Sequence, residues 1–561
     1  MRRIIGAAVL SASAFTTAGW LHAQGREWTT AAFDAQRTGW VRTDARLTRD
    51  AVQKGDFQFL WKAKFENDAR QLNSLTPPIL LDRLIGYRGF KALGFVGGSS
   101  DRVFAIDTDL ARPYWTTHLN YSAATGGQPE SSWECPGGLI ATPTRRTVLA
   151  PQAPAAGGGG GRGGRSGSAV GEPGRGAAIL SQQPPARGRG APAGPPPAPA
   201  AGGRAVAPIP FGGVDPVYAV GSDGFLHTLS SANGADMTAP VPFLPPNTKP
   251  SALVFIDGVV YTTTSSGCGA APNAVWAIDL TADNKVTSWK TGGPDIIGTT
   301  GPAFGGDGTL YVALGNAPAS GDRTYANAIV ALGRATLQPK DWLSAPGVEF
   351  NAAPIMIRYR SDADFVAVTA NDGRLYLLDA AALGGTDHKT PLHVTAKYTA
   401  PGAGAGLAAW VSQGTYWILA PVAGAPQPGV KFAANGVAPT GSIVAFKVNE
   451  NDKGAGVTLD PGWASRNLTS PLAPIIVNGV VFVVSSGEFR GSGAQLTAAQ
   501  RARRSTPAVL YALDGTTGKQ LWSSGTRITS FARGGLAAGA GQVYVVTYDN
   551  HLYAFGIPME H

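Results

Sequence analysis

The stretch Val509-Leu-Tyr-Ala-Leu-Asp-Gly-Thr-Thr-Gly-Lys-Gln-Leu-Trp522 constrains the fold more than any other part of the chain, because its grammar returns along most of the sequence. Alternating apolar residues Val509, Tyr511 and Leu513 read as a strand, Asp514 to Gly518 as a tight turn, and Lys519 to Ser523 as the returning strand. A flat indole on that outer strand suits the wedge between neighbouring blades of a radial array.

The pattern recurs as Val103-Phe-Ala-Ile-Asp107 with Trp115, Val275-Trp-Ala-Ile-Asp279 with Trp289, and Ile329-Val-Ala-Leu332 with Trp342. Worn copies follow. Leu375-Tyr-Leu-Leu-Asp379 lacks the tryptophan, Ile443-Val-Ala-Phe446 reaches Trp463 only after an insertion, and Phe225-Leu-His-Thr-Leu229 keeps just the strand. Each copy is preceded by a β-branched or aromatic run able to pair with it, such as Val259-Val-Tyr-Thr262 and Val480-Val-Phe-Val-Val484. A last pair, Val543-Tyr-Val-Val546 with His551-Leu-Tyr-Ala-Phe555, has no outer strand after it, whereas Phe57-Gln-Phe-Leu-Trp61 has an outer strand's pattern and no inner strands before it. Strands from both ends therefore share one blade, which removes two exposed sheet edges. The expected fold is all-β, a β-propeller of about eight blades closed by its N- and C-terminal strands. A β-sandwich of unrelated strands gives no reason for turn and tryptophan to repeat together.

The Tyr-Ala-Leu-Asp, Thr-Gly-Lys and Leu-Trp elements between 511 and 522 resemble the repeat of the pyrroloquinoline quinone (PQQ) dehydrogenase-like propellers, over about residues 28 to 556. That resemblance implies either a PQQ- and calcium-dependent alcohol or sugar dehydrogenase, or a cofactor-free propeller such as an outer-membrane assembly scaffold.

Residues 1–23 open with Arg2-Arg3, run apolar from Ile4 to Ala18 and end in Leu21-His22-Ala23, the layout of a signal peptide, so a periplasmic or secreted protein is expected from residue 24 onward. Beyond it, no apolar run approaches the roughly 18 residues that span a membrane. The formal charge of +9 is unevenly placed: between 151 and 207, Arg162, Arg165, Arg175, Arg187, Arg189 and Arg204 face Glu172 alone. This Gly-, Pro- and Ala-rich insertion reads as disordered, and the remaining chain is near neutral, which argues against a nucleic-acid partner. The expected partner is a small molecule, an envelope polymer or a protein, met by a monomer. The two cysteines, Cys135 and Cys268, are expected to pair in an oxidising compartment. Strand order puts both on one face of the disc, before the inner strand of blade two and after the second strand of blade three.

The same arithmetic collects polar residues on that face: Arg70, Asn73, Trp133, Glu134, Asn316, Glu349, Asn351, Glu488, Arg490, Arg533, Tyr548 and Asp549. Such a set suits a cation or a polyanionic ligand, and also suits solvated loops around a water-filled channel. By the resemblance, Asn316 in Gly-Asn-Ala-Pro318 matches a calcium-ligating asparagine, and Glu349 lies near the place of a catalytic carboxylate. Arg490, Arg533, Trp133 and Glu134 are the residues expected around PQQ. The family's ligand glutamate has no counterpart in Gly267-Cys-Gly-Ala-Ala-Pro-Asn273, which weakens a calcium site because affinity follows ligand charge. His-Glu-x-x-His, P-loop and Gly-x-Ser-x-Gly motifs are absent, as is the Cys-x-x-Cys-His of a bound haem. The leading reading is an exported propeller that binds a ligand or partner at one face without catalysis of its own; the alternative is the quinoprotein dehydrogenase.

Overall fold

Runs of β-branched and aromatic residues broken by two-residue turns fold as consecutive antiparallel strands. In the founding repeat, Ile475–Val477, Val480–Ser485, Val509–Asp514 and Gln520–Ser523 pair in that order. The turn between the first two is Asn478-Gly479, both with positive φ, as a tight right-twisted hairpin requires. The computed structural model describes residues 27–86, 89–119, 132–149, 215–318, 321, 323–360, 363–401, 406–450, 456–490 and 496–558. They form eight such sheets in chain order, an eight-bladed β-propeller. The chain divides into two units, Met1–Ala153 with Val214–His561, and Pro154–Gly213. The second unit, the 151–207 insertion and residues 1–23, read from sequence as a signal peptide, all lie outside the described residues.

Closure occurs where the sequence places it. The strand Gln58–Lys64 pairs antiparallel with His551–Gly556, setting Phe59 against Phe555 and Trp61 against Ala554. Three of the repeated tryptophans also have a defined polar partner. Nε1 of Trp61 donates to the carbonyl of Thr108 (3.1 Å), that of Trp115 to Ser231 (2.9 Å), and that of Trp463 to Gly515 (3.0 Å). Each acceptor sits in the turn after the third strand of the following blade, so the indole fills the wedge and satisfies a turn carbonyl at once. His388 of blade five stacks on Trp342 of blade four with ring centres 3.9 Å apart.

The axis of the ring is not simply a water-filled channel. Residues 28–44 run around it and bond to every blade in turn. Main-chain carbonyls of Trp28 and Thr29 accept from Leu80 and Arg145 of blades one and two. The Thr30 hydroxyl and Arg37 Nε donate to the carbonyls of Leu253 and Pro302 in blades three and four. Carbonyls of Gln36, Thr38 and Gly39 then accept from Met356, Ala409 and Ile476 of blades five, six and seven. Trp40–Val41 extends blade seven as a parallel fifth strand, and an Asp44 oxygen accepts from Gly541 of blade eight. This circuit bends through left-handed backbone at Ala32, Phe33 and Arg37 (φ 54°, 77° and 63°), a conformation that costs energy in side chains other than glycine. Asp34 offsets part of it by accepting from the amide and hydroxyl of Thr38 at 2.9 and 2.7 Å. Arg37 is fully buried, and that burial draws its pKa down to about 9 against the opposing pull of Asp34.

Candidate functional site

Above the circuit lies a cavity of about 720 Å³, floored by Ala31, Ala32 and Gly39. Its walls come from loops that enter inner strands and loops that leave second strands, the face on which strand order gathers the polar residues. Pro77, Leu139, Leu472, Pro474, Leu536 and Val546 line the shaft, and Trp133, Glu488, Arg490, Arg501 and Arg533 line it toward the mouth.

The mouth is built around one carboxylate. Glu488 follows the second strand of blade seven and is buried, with 4% of its side chain exposed. Arg490 Nε lies 3.1 Å from its Oε2 and Arg533 Nε 3.6 Å from its Oε1. A third guanidinium comes from the helix Ala498–Arg504, whose start is fixed by a capping box: the Thr497 hydroxyl accepts from the Gln500 amide, and the Gln500 side chain accepts from the Thr497 amide. From this helix Arg501 donates to the Phe489 carbonyl at 3.4 Å, while its Nε is buried and has no hydrogen-bond partner among the described residues. The guanidinium carbons of Arg501 and Arg533 lie 4.9 and 4.8 Å from the centre of the Trp133 ring, within cation–π range. Burial lowers the pKa of Arg533, Glu488 counters the shift, and Arg490 and Arg501 add to it. Among the described residues two of these cations thus pair with Glu488 and the third, Arg501, has no carboxylate partner, leaving an electrostatic demand for further negative charge.

Trp133 is held over the mouth by its loop. Gly137 and Gly138 adopt positive φ, and a Cβ on Gly138 would meet the Ser99 carbonyl oxygen at 1.9 Å, so only glycine passes there. Cys135 and Cys268 form a disulfide that ties this loop of blade two to blade three. Behind it, Lys249 donates to the Ser266 hydroxyl at 3.1 Å. Its pKa is lowered by burial, raised by Asp295 and Glu134, and lowered again by Arg533, which puts Glu134 in the electrostatic surroundings of the lysine.

Of the residues singled out from sequence, Asn73, Trp133, Glu488, Arg490, Arg533 and Tyr548 line the cavity. Asn316 and Glu349 are exposed and lie outside that lining. The Glu349 carboxylate accepts from Asn371 Nδ2 at 2.8 Å. Among the described residues no three His, Cys, Asp or Glu side chains gather as they would around a metal ion. The arginines and Trp133 do fit an anionic, partly aromatic molecule such as PQQ. Sequence reasoning missed Arg501; the Thr497-x-x-Gln500 spacing was the available signal. Among the described residues no helix is long and apolar enough to cross a membrane.

No sequence family and no curated protein matches the chain. Solved structures do. The quinohemoprotein alcohol dehydrogenase of Comamonas testosteroni superposes with a TM-score of 0.52 at 14% identity, covering 96% of this chain and 81% of that one. A quinohemoprotein alcohol dehydrogenase of Pseudomonas putida HK5 gives 0.54 at 12% identity, with 96% and 81% covered. A europium-containing methanol dehydrogenase gives 0.51 at 11% identity, with 95% and 98% covered. The fold is therefore that of the PQQ-type eight-bladed propellers. At such identities the likeness concerns architecture, and chemistry has to be argued from the site.

Proposed function

We propose that this chain works outside the cytoplasm as a binding propeller, taking an anionic ligand or the acidic group of a partner at the cavity mouth, without catalysis of its own. The observation that carries the reading is the mouth's charge: Arg490 and Arg533 pair with Glu488, Arg501 lies with Arg533 against the Trp133 ring, and among the described residues no second carboxylate pairs with any of the three. The disulfide and the signal-like first 23 residues support an oxidising compartment.

The second reading, a PQQ- and calcium-dependent dehydrogenase of alcohols or sugars, is favoured by the shared fold and by the fit of Arg490, Arg533 and Trp133 to a polycarboxylate. When bound, such a quinone would supply two-electron oxidation of an alcohol. The placement of Glu349, exposed and outside the cavity lining, speaks against it, because a base must reach the proton it removes. Calorimetric titration of the purified chain with PQQ, with and without calcium, alongside dye reduction with a panel of alcohols and aldoses, separates the two. Calcium-independent binding with no turnover is expected. Tight calcium-dependent binding with turnover would install the dehydrogenase instead.

A further inference from the structure

The cavity divides by chemistry along its depth. Pro77, Leu139, Leu472, Pro474, Leu536 and Val546 give the shaft aliphatic walls, interspersed with hydroxyls such as those of Thr76, Thr142 and Ser470, over the N-terminal circuit. Its mouth carries three guanidiniums, one of them, that of Arg501, with a buried Nε–H that has no partner among the described residues. A small hydrophilic polyanion satisfies the arginines but leaves the aliphatic walls wetted; a neutral apolar molecule covers those walls but brings Arg501 no anion. One class of molecule meets both demands. Resting on the mouth being a ligand site, we infer that the cavity binds an amphipathic carboxylate, with its apolar body in the shaft and its carboxylate on Arg501 and Arg533. The volume, about 720 Å³, is within the range of small-molecule sites, and the aliphatic walls suit a medium-length acyl or aryl body. Arg501 is the natural first contact, because Glu488 occupies Arg490 and Arg533 but not Arg501.

The test is calorimetric titration of the full chain with octanoate, 1-octanol and citrate. Octanoate is expected to bind at least about tenfold more tightly than either of the others, because each lacks one half of the match. Arg501→Gln, on a helix with no buried residue, should weaken octanoate about tenfold and leave octanol unchanged. Its melting temperature should stay at the wild-type value, which separates lost contact from lost folding. Citrate binding as tightly as octanoate would overturn the amphipathic assignment while leaving an anion-binding mouth. Octanol matching octanoate would remove the role of the arginines. Silence from all three would sink both this inference and the binding reading beneath it.

Discussion

Asp514 ends its strand almost fully buried, and its carboxylate organises the turn that follows. One oxygen accepts from the amides of Thr516 and Thr517 at 3.1 and 2.8 Å and from both of their hydroxyls; the other lies 2.7 Å from Arg49. The turn so fixed presents the Gly515 carbonyl to Trp463 of the preceding blade. Burial pushes the Asp514 pKa up, but the Thr516 and Thr517 hydrogens and Arg49 outweigh it, and the folded value is depressed. A depressed folded pKa contributes stability that is complete above the unfolded value, near 4, and is lost as pH falls through the folded value. Asp514→Asn should therefore cost about 1–3 kcal/mol at neutral pH, and the gap to wild type should narrow as pH falls below about 4. Denaturant unfolding of both proteins across pH 2.5–7 is the measurement, with refolding checked at the acid end.

At the scale of elements, the loop around Trp133 is secured twice, by the Gly137-Gly138 bend and by the disulfide. The bridge closes a sequence separation of 133 residues, and a loop that long restricts the unfolded chain by about 3–5 kcal/mol. Cys135→Ser with Cys268→Ser should lower the unfolding midpoint accordingly and loosen Trp133, read as weaker protection of the indole from an aqueous quencher. What could be read from sequence at this scale follows a physical divide. Blades were legible because each is written locally, as alternation, an Asp-Gly turn and an indole within some fifteen residues. The circuit of residues 28–44 was not, since its partners are distributed over the whole chain and its bends at Ala32, Phe33 and Arg37 carry no glycine. The mouth was half legible: Arg490 and Arg533 follow from strand order, whereas Arg501 depends on a seven-residue helix that buries nothing and shows no apolar stripe.

For the molecule as a whole, closure needs only the described unit. Thr144 and Tyr218 are bridged neighbours in blade two, so the chain leaves and re-enters between adjacent strands. Replacing residues 154–213 by a short Gly-Ser linker should shift the melting temperature by no more than about 2 °C, within the range of a surface change. A larger fall in a calorimetric scan would mean that the insertion contributes to the propeller's stability. The circuit has another consequence, one of timing. Asp44 bonds to Gly541 across 497 positions, and the earlier residues of the segment need acceptors and donors from every blade in between. Preceding every blade in the chain, this stretch cannot complete its circuit until the last vane has been made. Its settling into the hub is then the late, slow event that contacts of such range impose, a drawstring pulled only when the whole purse has been sewn.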